Sequence, residues 1–403
     1  MAQTETTRLD ELFSAAARRV APGAPQGRGL SPERVNFAGG APDPKSMPRK
    51  EMAAAAARAM EKNGQWALQY GGSAGYTGLI EQLLIKLKRD NGVDVRPENV
   101  LITAGASQAI DLVCDALVDP GDVILSEEPT FLGALRLFNA HQAKVVGIPM
   151  DNEGMKMDLL ADKLAELKAQ GVHPKFIYTI PTFQNPTGIT TSLERRRRIL
   201  ELAKEYTVAV LEDDAYFDLR FSGERLPMMI SLDDAGLVIY TGTFSKIIGA
   251  GLRLGWVIGP EPLIHKVSKL KPDGGTSPFT SHIVAEYAPS QLEDHVKELV
   301  NVYRTRRDTM IDALGAEMPK GVEWTVPEGG FFVWLTLPEG ADSVAIQPEA
   351  AAHGVDFMPG TVFYPNDNGR RNIRLAYSFT DEEAIRRGIK ILGGIIREYL
   401  PTH

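Results

Sequence analysis

The chain has 403 residues, more than a single hydrophobic core supports, so two domains, or one large domain with an added lobe, are expected. Hydrophobic residues make up 43% and charged residues 24%, the balance of a globular protein, which argues against disordered, collagenous or coiled-coil chains. Forty-four Lys and Arg against 52 Asp and Glu give a net charge of −8, the wrong sign for a nucleic-acid or anionic-membrane partner, and neither is expected.

The lone cysteine, Cys114, has no partner for an internal disulfide, which points to a reducing, cytoplasmic compartment. The seven histidines are scattered, with no pair three to five residues apart, and no metal site is expected. The amino-terminal MAQTETTRLDEL is polar and partly acidic where a secretory signal would be basic and then apolar. A soluble, untargeted protein is the expectation.

In chain order, residues 1–45 carry one helix-like stretch, DELFSAAARRV, and then Pro and Gly every few positions, and read as an arm or lid that is part of a small domain. From about Val100 to Ile258 a short β-branched run, a turn and a helix-period segment recur, the signature of parallel βα units. Strands are expected at VLIT (100–103), VIL (123–125), KVVGI (144–148), FIYTI (176–180), VAVLED (208–213), LVIYTG (237–242) and LGWVIG (254–259). Helices are expected over Ser107–Leu117, Phe131–Ala140, Leu159–Gln170 and Leu193–Tyr206, the last with Arg195–Arg198 as a solvated face. A charged helix over Gln291–Leu314 follows, then short strands near Val322–Thr325, Phe331–Leu335 and Asn372–Ser378, and an amphipathic helix from Asp381 to Leu400. The fold class is therefore α/β, a mainly parallel seven-stranded sheet flanked by helices, with a smaller α+β domain. The expected divisions are 1–45, 46–289 for the large domain and 290–403 for the small one.

In open α/β sheets, ligands bind in the crevice at the carboxyl ends of the strands, and several of these ends carry unusual residues. After VLIT, Gly105-Ala106-Ser107-Gln108 makes a small-residue turn opening a helix, whose free N–H groups suit a phosphate, although tight strand-to-helix packing accounts for it equally well. After FIYTI, the turn Pro181–Gly188 presents Asn185. VAVL runs into Glu212-Asp213-Asp214-Ala215-Tyr216, three carboxylates at the end of an apolar strand, and buried carboxylates are costly without a cation. A metal is the rival explanation, but no second cluster of acids or histidines stands out to complete its shell, which favours a cationic organic partner.

The segment Tyr240-Thr241-Gly242-Thr243-Phe244-Ser245-Lys246, followed by Gly251-Leu252-Arg253, brings hydroxyls and a guanidinium that satisfy a phosphate. Lys246 is then free for covalent work, since an amine on a glycine-flanked turn beside a desolvated pocket can form a Schiff base with an aldehyde.

Together, Gly39-Gly40, Tyr70, Gly105-Ala106-Ser107-Gln108, Asn185-Pro186-Thr187-Gly188, Asp213–Tyr216, Thr243–Lys246 with Gly251-Leu252-Arg253, and Asn372-Ile373-Arg374-Leu375 resemble the pyridoxal-phosphate-dependent aminotransferases of fold type I, class I/II. The series is most similar to the 2-aminoadipate and kynurenine aminotransferase subgroup, and spans roughly residues 36–380.

The resemblance implies pyridoxal 5'-phosphate as cofactor and a set of roles. Lys246 anchors the cofactor covalently and shuttles the substrate's proton, and Asp213 keeps the pyridine nitrogen protonated. Asn185 and Tyr216 hydrogen-bond the ring oxygen, and Phe131 stacks on the ring where many relatives carry Tyr. The backbone N–H groups of Ala106 and Ser107 hold the phosphate, completed by Thr243, where the family usually has Ser, and by Ser245 and Arg253. Tyr70 reaches the neighbouring subunit's phosphate, which implies a homodimer with composite active sites. Arg374 grips the substrate α-carboxylate and the Gly39-Gly40 backbone closes over it. The subgroup's N-terminal helix with its side-chain-reading Arg is replaced by the Pro/Gly-rich stretch Ala21–Pro32, leaving Arg28 or Arg34 for that task.

The expected reaction moves an amino group between an amino acid and a 2-oxo acid in a ping-pong cycle. A β-lyase or decarboxylase on the same scaffold is the first rival. A ligand-sensing transcription regulator is the second. It needs a DNA-binding winged helix upstream, and only about 35 residues precede Gly39.

Overall fold

The computed structural model describes residues 10–14, 17–18 and 34–400, so Ala15, Ala16, Arg19 and Val20 of the DELFSAAARRV stretch and all of Ala21–Pro32 lie outside the described residues. In chain order the elements are β1 (Val35–Asn36), α1 (Arg49–Ala67), α2 (Thr77–Asn91), β2 (Val100–Thr103), α3 (Ala106–Leu117), β3 (Val123–Glu128) and α4 (Leu132–Ala140). Next come β4 (Lys144–Asp151), β5 (Gly154–Met155), α5 (Met157–Ala169), β6 (Phe176–Thr179), α6 (Leu193–Tyr206), β7 (Ala209–Asp213) and α7 (Met229–Leu232). Then follow β8 (Val238–Thr243), β9 (Gly255–Ile258), α8 (Glu261–Leu270) and α9 (Pro278–Glu317). The chain ends with β10 (Glu323–Trp324), β11 (Phe332–Thr336), α10 (Ser343–Ala352), β12 (Val355–Asp356), β13 (Met358–Pro359), β14 (Asn372–Ala376) and α11 (Glu382–Tyr399).

The strands form an eight-stranded sheet in the order β2-β9-β8-β7-β6-β3-β4-β5. Pairings β3/β4, β3/β6, β6/β7 and β7/β8 are parallel, whereas β9 runs antiparallel to both β2 and β8. All seven expected strands are present. The eighth, β5, is a two-residue hairpin return on β4 too short to leave a periodic signal. Alternation along the strands sends successive side chains to opposite faces. Ile124, Phe176, Tyr178 and Leu211 pack under α3 and α8, while Leu125, Ile177 and Val210 pack against α5 and α6. Each such fully buried side chain contributes roughly 1.5–3 kcal/mol, and both faces must be apolar for a sheet covered by helices on two sides.

A second, antiparallel sheet has the order β10-β11-β14-β13, and β1 pairs in parallel with β12, tying the amino-terminal segment to the carboxyl-terminal region. The helix expected from Gln291 begins at Pro278: Ser277 accepts a hydrogen bond from Thr280 N–H as its cap, Pro278 opens the first turn, and Pro289 is accommodated inside. A proline with no donor looks like a boundary in the sequence, and tertiary packing overrides it. Helices α1 and α2 were not anticipated, because α1 buries only Ala55, Ala59 and Ala67 and so carries a weak apolar stripe.

The arginine run is also different from the expectation of a solvated face. Arg196 is fully buried, donating to the carbonyls of Thr191 (3.0 Å), Pro227 (3.0 Å) and Pro181 (2.7 Å), while Arg195 pairs with Asp151 at 2.6 Å. Arg197, which is exposed, and Arg198, paired with Glu201, fit the solvated reading. Among the described residues no helix is long and apolar enough to cross a membrane.

Candidate active site

The carboxyl ends of β2, β3, β6, β7 and β8 open on one edge of the large sheet, and there a cavity of about 400 Å³ is closed on its far side by β11 and β14. Each strand end delivers its residues for a local reason. After β2, Gly105 turns the chain at φ +93°, a conformation side chains rarely adopt, and starts α3, whose first N–H groups, on Ala106 and Ser107, have no intrahelical acceptor. Gly255 lets β9 pass close behind this turn, since a Cβ there would lie 2.8 Å from Ala106 N. Thr243 Oγ1 donates to Ser245 Oγ (2.8 Å) and accepts from Ser245 N–H (3.0 Å), locking the two hydroxyls together. Arg253, itself at φ +51°, reaches across to donate to Ala104 O at 3.0 Å. These groups make a cradle of N–H, O–H and guanidinium donors with no acid among them, the donor set of a phosphate site.

Deeper in, Asp213 is 4% exposed at the end of β7. Its Oδ2 accepts from Tyr178 O–H at 2.7 Å, while Oδ1, buried, has no partner. Burial pushes this carboxyl up to about 6, against the opposing pull of the Tyr178 hydrogen bond and the Lys246 charge. A buried carboxylate oxygen facing a cavity without a donor fits a cationic N–H from a bound ring. Lys246 is half-buried, its Nζ donating to Gly40 O at 3.0 Å and lying 5.7 Å from the Tyr216 ring centre. Burial and the neighbouring Arg374 charge lower its amine to about 8.

Arg374 stands on β14, where alternation buries Ile373 and Leu375 in the core and turns the guanidinium to the cavity. It lies between the rings of Phe332 (4.3 Å) and Phe363 (4.7 Å), donating to Asn185 Oδ1 (2.9 Å) and Ala38 O (2.6 Å). Its Nε is buried without a partner, and burial lowers the group to about 10.

The cavity thus brings together Gly40, Ala106, Ser107, Phe131, Asn185 and Asp213 with Tyr216, Thr243, Ser245, Lys246, Arg253 and Arg374. Gly39 is beside it, its N–H bound to Asn36 Oδ1 at 3.1 Å. Tyr70 stands apart and is 87% exposed. Arg34 forms a two-pronged pair with Asp356 at 2.6 and 3.0 Å, and Arg28 lies outside the described residues. Sequence reasoning missed Tyr178, Phe332, Phe363 and Arg136. Tyr178 had a signal, a phenol in the apolar run FIYTI, because a buried hydroxyl requires a partner.

Comparison with known proteins agrees with this architecture. Residues 33–392 match the family described as aminotransferase class I and II. The chain is 40% identical over 367 residues to an aromatic-amino-acid aminotransferase of Thermococcus litoralis, covering 90% of this chain and 88% of that one. It is 36% identical to a 2-aminoadipate transaminase of Thermus thermophilus, covering 92% and 91%. The crystal structure of Pyrococcus horikoshii kynurenine aminotransferase in complex with PMP superimposes with a TM-score of 0.94 at 40% identity, covering 98% of this chain and 99% of that one.

Proposed function

Because the chain belongs to the class I and II aminotransferases, pyridoxal-phosphate-dependent enzymes that move amino groups between amino acids and 2-oxo acids, we propose that the cavity at the sheet edge is where this chemistry occurs and that Lys246 is its anchor and base. The observation that carries the assignment is the pairing, in one cavity, of a half-buried amine with a buried carboxylate that keeps one oxygen free. Pyridoxal phosphate supplies an aldehyde and an electron-withdrawing ring that stabilises negative charge on the substrate's α-carbon.

The protein's own residues supply the rest. Asp213 Oδ1 takes the ring N–H, and Tyr178, donating to Oδ2, keeps the carboxylate aimed and ionised. Ala106 and Ser107 N–H, Thr243, Ser245 and Arg253 bind the phosphate, and Phe131 covers the ring face. Asn185 and Tyr216 donate to the ring oxygen. Lys246 Nζ, brought by its lowered pKa toward the neutral form, takes and returns the proton at the substrate's α-carbon. Arg374 holds the α-carboxylate while its two flanking rings exclude water, and the Gly39-Gly40 backbone covers the substrate from the amino-terminal side.

The same proposal places the enzyme in the cytoplasm as a homodimer, without nucleic-acid or membrane partners. Trp66, Leu68 and Tyr70 form an exposed apolar strip at the end of α1, 62%, 71% and 87% exposed, and a second subunit is the natural cover for it. Tyr70 then completes the partner's phosphate site. The large domain is assigned to residues 46–289 and the small one to 290–403 with the arm 1–45, the division falling inside α9.

The test is a pair of half-reactions. Purified protein with cofactor should be yellow, an amino acid should bleach it, and 2-oxoglutarate or pyruvate should restore the colour. Ammonia release without an acceptor would favour a lyase instead. Light scattering that finds an active monomer would remove Tyr70 from its role.

A further inference from the structure

The charges lining the cavity do not balance once each is given its task. They comprise four cations, Lys246, Arg253, Arg374 and Arg136, and one acid, Asp213. In the functional assignment above, Asp213 meets the ring nitrogen, Lys246 the aldehyde, Arg253 the phosphate and Arg374 the α-carboxylate. Arg136 is left without a counter-charge. Among the described residues it makes no ion pair and no hydrogen bond, unlike Arg34, which Asp356 occupies, or Arg195, which Asp151 occupies. A guanidinium carries five donors in a fixed fork, and one pointed at a ligand cavity without an acceptor is matched to a planar anion.

Its position in the fold fits a substrate side chain. Arg136 lies one helical turn beyond Leu132 on α4, so the two present one face to the cavity. Gly133 between them lets the Phe131 ring fold flat, since a Cβ there would lie 2.4 Å from the ring. Arg136 is exposed, at the solvent side of the cavity, whereas Arg374 is 7% exposed. Helix α4 also packs against the segment Gly360–Phe363, whose Phe363 ring covers Arg374. A substrate whose α-carboxylate rests on Arg374 would therefore extend outward past Leu132 toward Arg136.

We propose that Arg136 binds the distal carboxylate of dicarboxylic substrates, and so determines how well this enzyme takes 2-oxoglutarate and glutamate relative to substrates with apolar side chains. The inference rests on the assignment of Arg374 to the α-carboxylate. Apolar substrates remain acceptable because Leu132, Ile180 and Phe332 line the same cavity, and an exposed guanidinium can turn to solvent when no carboxylate arrives.

The experiment compares wild type, Arg136→Gln, Arg136→Lys and Arg374→Lys for KM and kcat with 2-oxoglutarate and pyruvate as acceptors and glutamate and phenylalanine as donors, alongside cofactor affinity by absorbance titration. For Arg136→Gln, KM for 2-oxoglutarate and glutamate should rise about tenfold or more, while kcat, the constants for pyruvate and phenylalanine, and cofactor affinity stay within about threefold. Arg136→Lys should recover part of the loss. Equal loss on both substrate classes, no loss, weakened cofactor binding that puts Arg136 on the phosphate, or a wild type that rejects both dicarboxylates would each overturn the proposal. Arg374→Lys separates the underlying assignment: it should impair both classes alike, and a loss confined to dicarboxylates would show that Arg374, not Arg136, reads the distal group.

Discussion

Two buried carboxylates at the carboxyl edge of the sheet face opposite fates. Glu127, on β3, is enclosed behind the 181–188 turn and accepts from Thr179 Oγ1 (2.5 Å), Ile180 N–H (3.1 Å) and Gln184 Nε2 (3.1 Å). Asp213, on β7, accepts from Tyr178 alone and keeps an oxygen free. Burial raises both, to about 7 and about 6. Desolvation therefore does not distinguish them. Glu127 uses its acceptors on the protein, holding the turn that carries Asn185, whereas Asp213 keeps capacity for a ligand. The lesson is that hydrogen-bonding capacity left unused in a cavity marks a chemical role, and a perturbed pKa by itself does not.

Substitutions can break this contrast. The largest effect is expected from Lys246→Ala, which should lower kcat by at least about 10⁴-fold while the protein still binds cofactor, measured by single-turnover kinetics and absorbance. Asp213→Asn should follow, with a fall of about 10²- to 10³-fold in kcat at nearly unchanged stability. A near-normal kcat would place Asp213 with Glu127 as a structural acid.

The amine offers a test through pH. Burial and the Arg374 charge hold Lys246 near 8, so more of it is neutral and nucleophilic at neutral pH than for an ordinary lysine. Arg374→Gln removes a charge that lowers this value, and the pH midpoint for cofactor capture by the apoprotein should move upward. A midpoint that stays or falls would contradict the coupling. Tyr178→Phe should cost less, about tenfold in kcat, by removing the donor that keeps Asp213 ionised.

Glu127→Gln should be the mildest for chemistry, within about threefold in kcat, yet it should cost roughly 1–3 kcal/mol of stability in denaturant unfolding. Its pH signature has a definite sign. The folded pKa of about 7 lies above the ordinary 4.5, so this group's contribution is full below 4.5 and lost as the pH rises through about 7. Glu127→Gln should flatten stability across that window. A variant with intact stability and abolished turnover would erase the distinction between the two acids.

Much of the molecule was legible in one dimension. Short β-branched apolar runs separated by turns and helix-period segments specify the strands, because a sheet covered by helices on both faces needs apolar side chains on both, so the seven strands of the large sheet were readable. The turn after β2 and the segment Thr243–Lys246 were readable too, since glycine, hydroxyl and cation in close succession carry a chemical meaning of their own. Other features depend on contacts between distant segments. The burial of Arg196 arises because α6 packs its side chain onto carbonyls of the loops at 181, 191 and 227, which no local charge pattern reveals. The start of α9 at Pro278, the Phe332–Arg374–Phe363 stack and the position of Arg136 on the cavity are of the same kind. Local sequence determined which groups this protein possesses and which strand ends carry them, because propensity and periodicity act over a few residues. Only the tertiary structure decided which of those groups are satisfied by the protein and which remain open to a ligand, because hydrogen-bond partners and desolvation are supplied by segments up to hundreds of residues away.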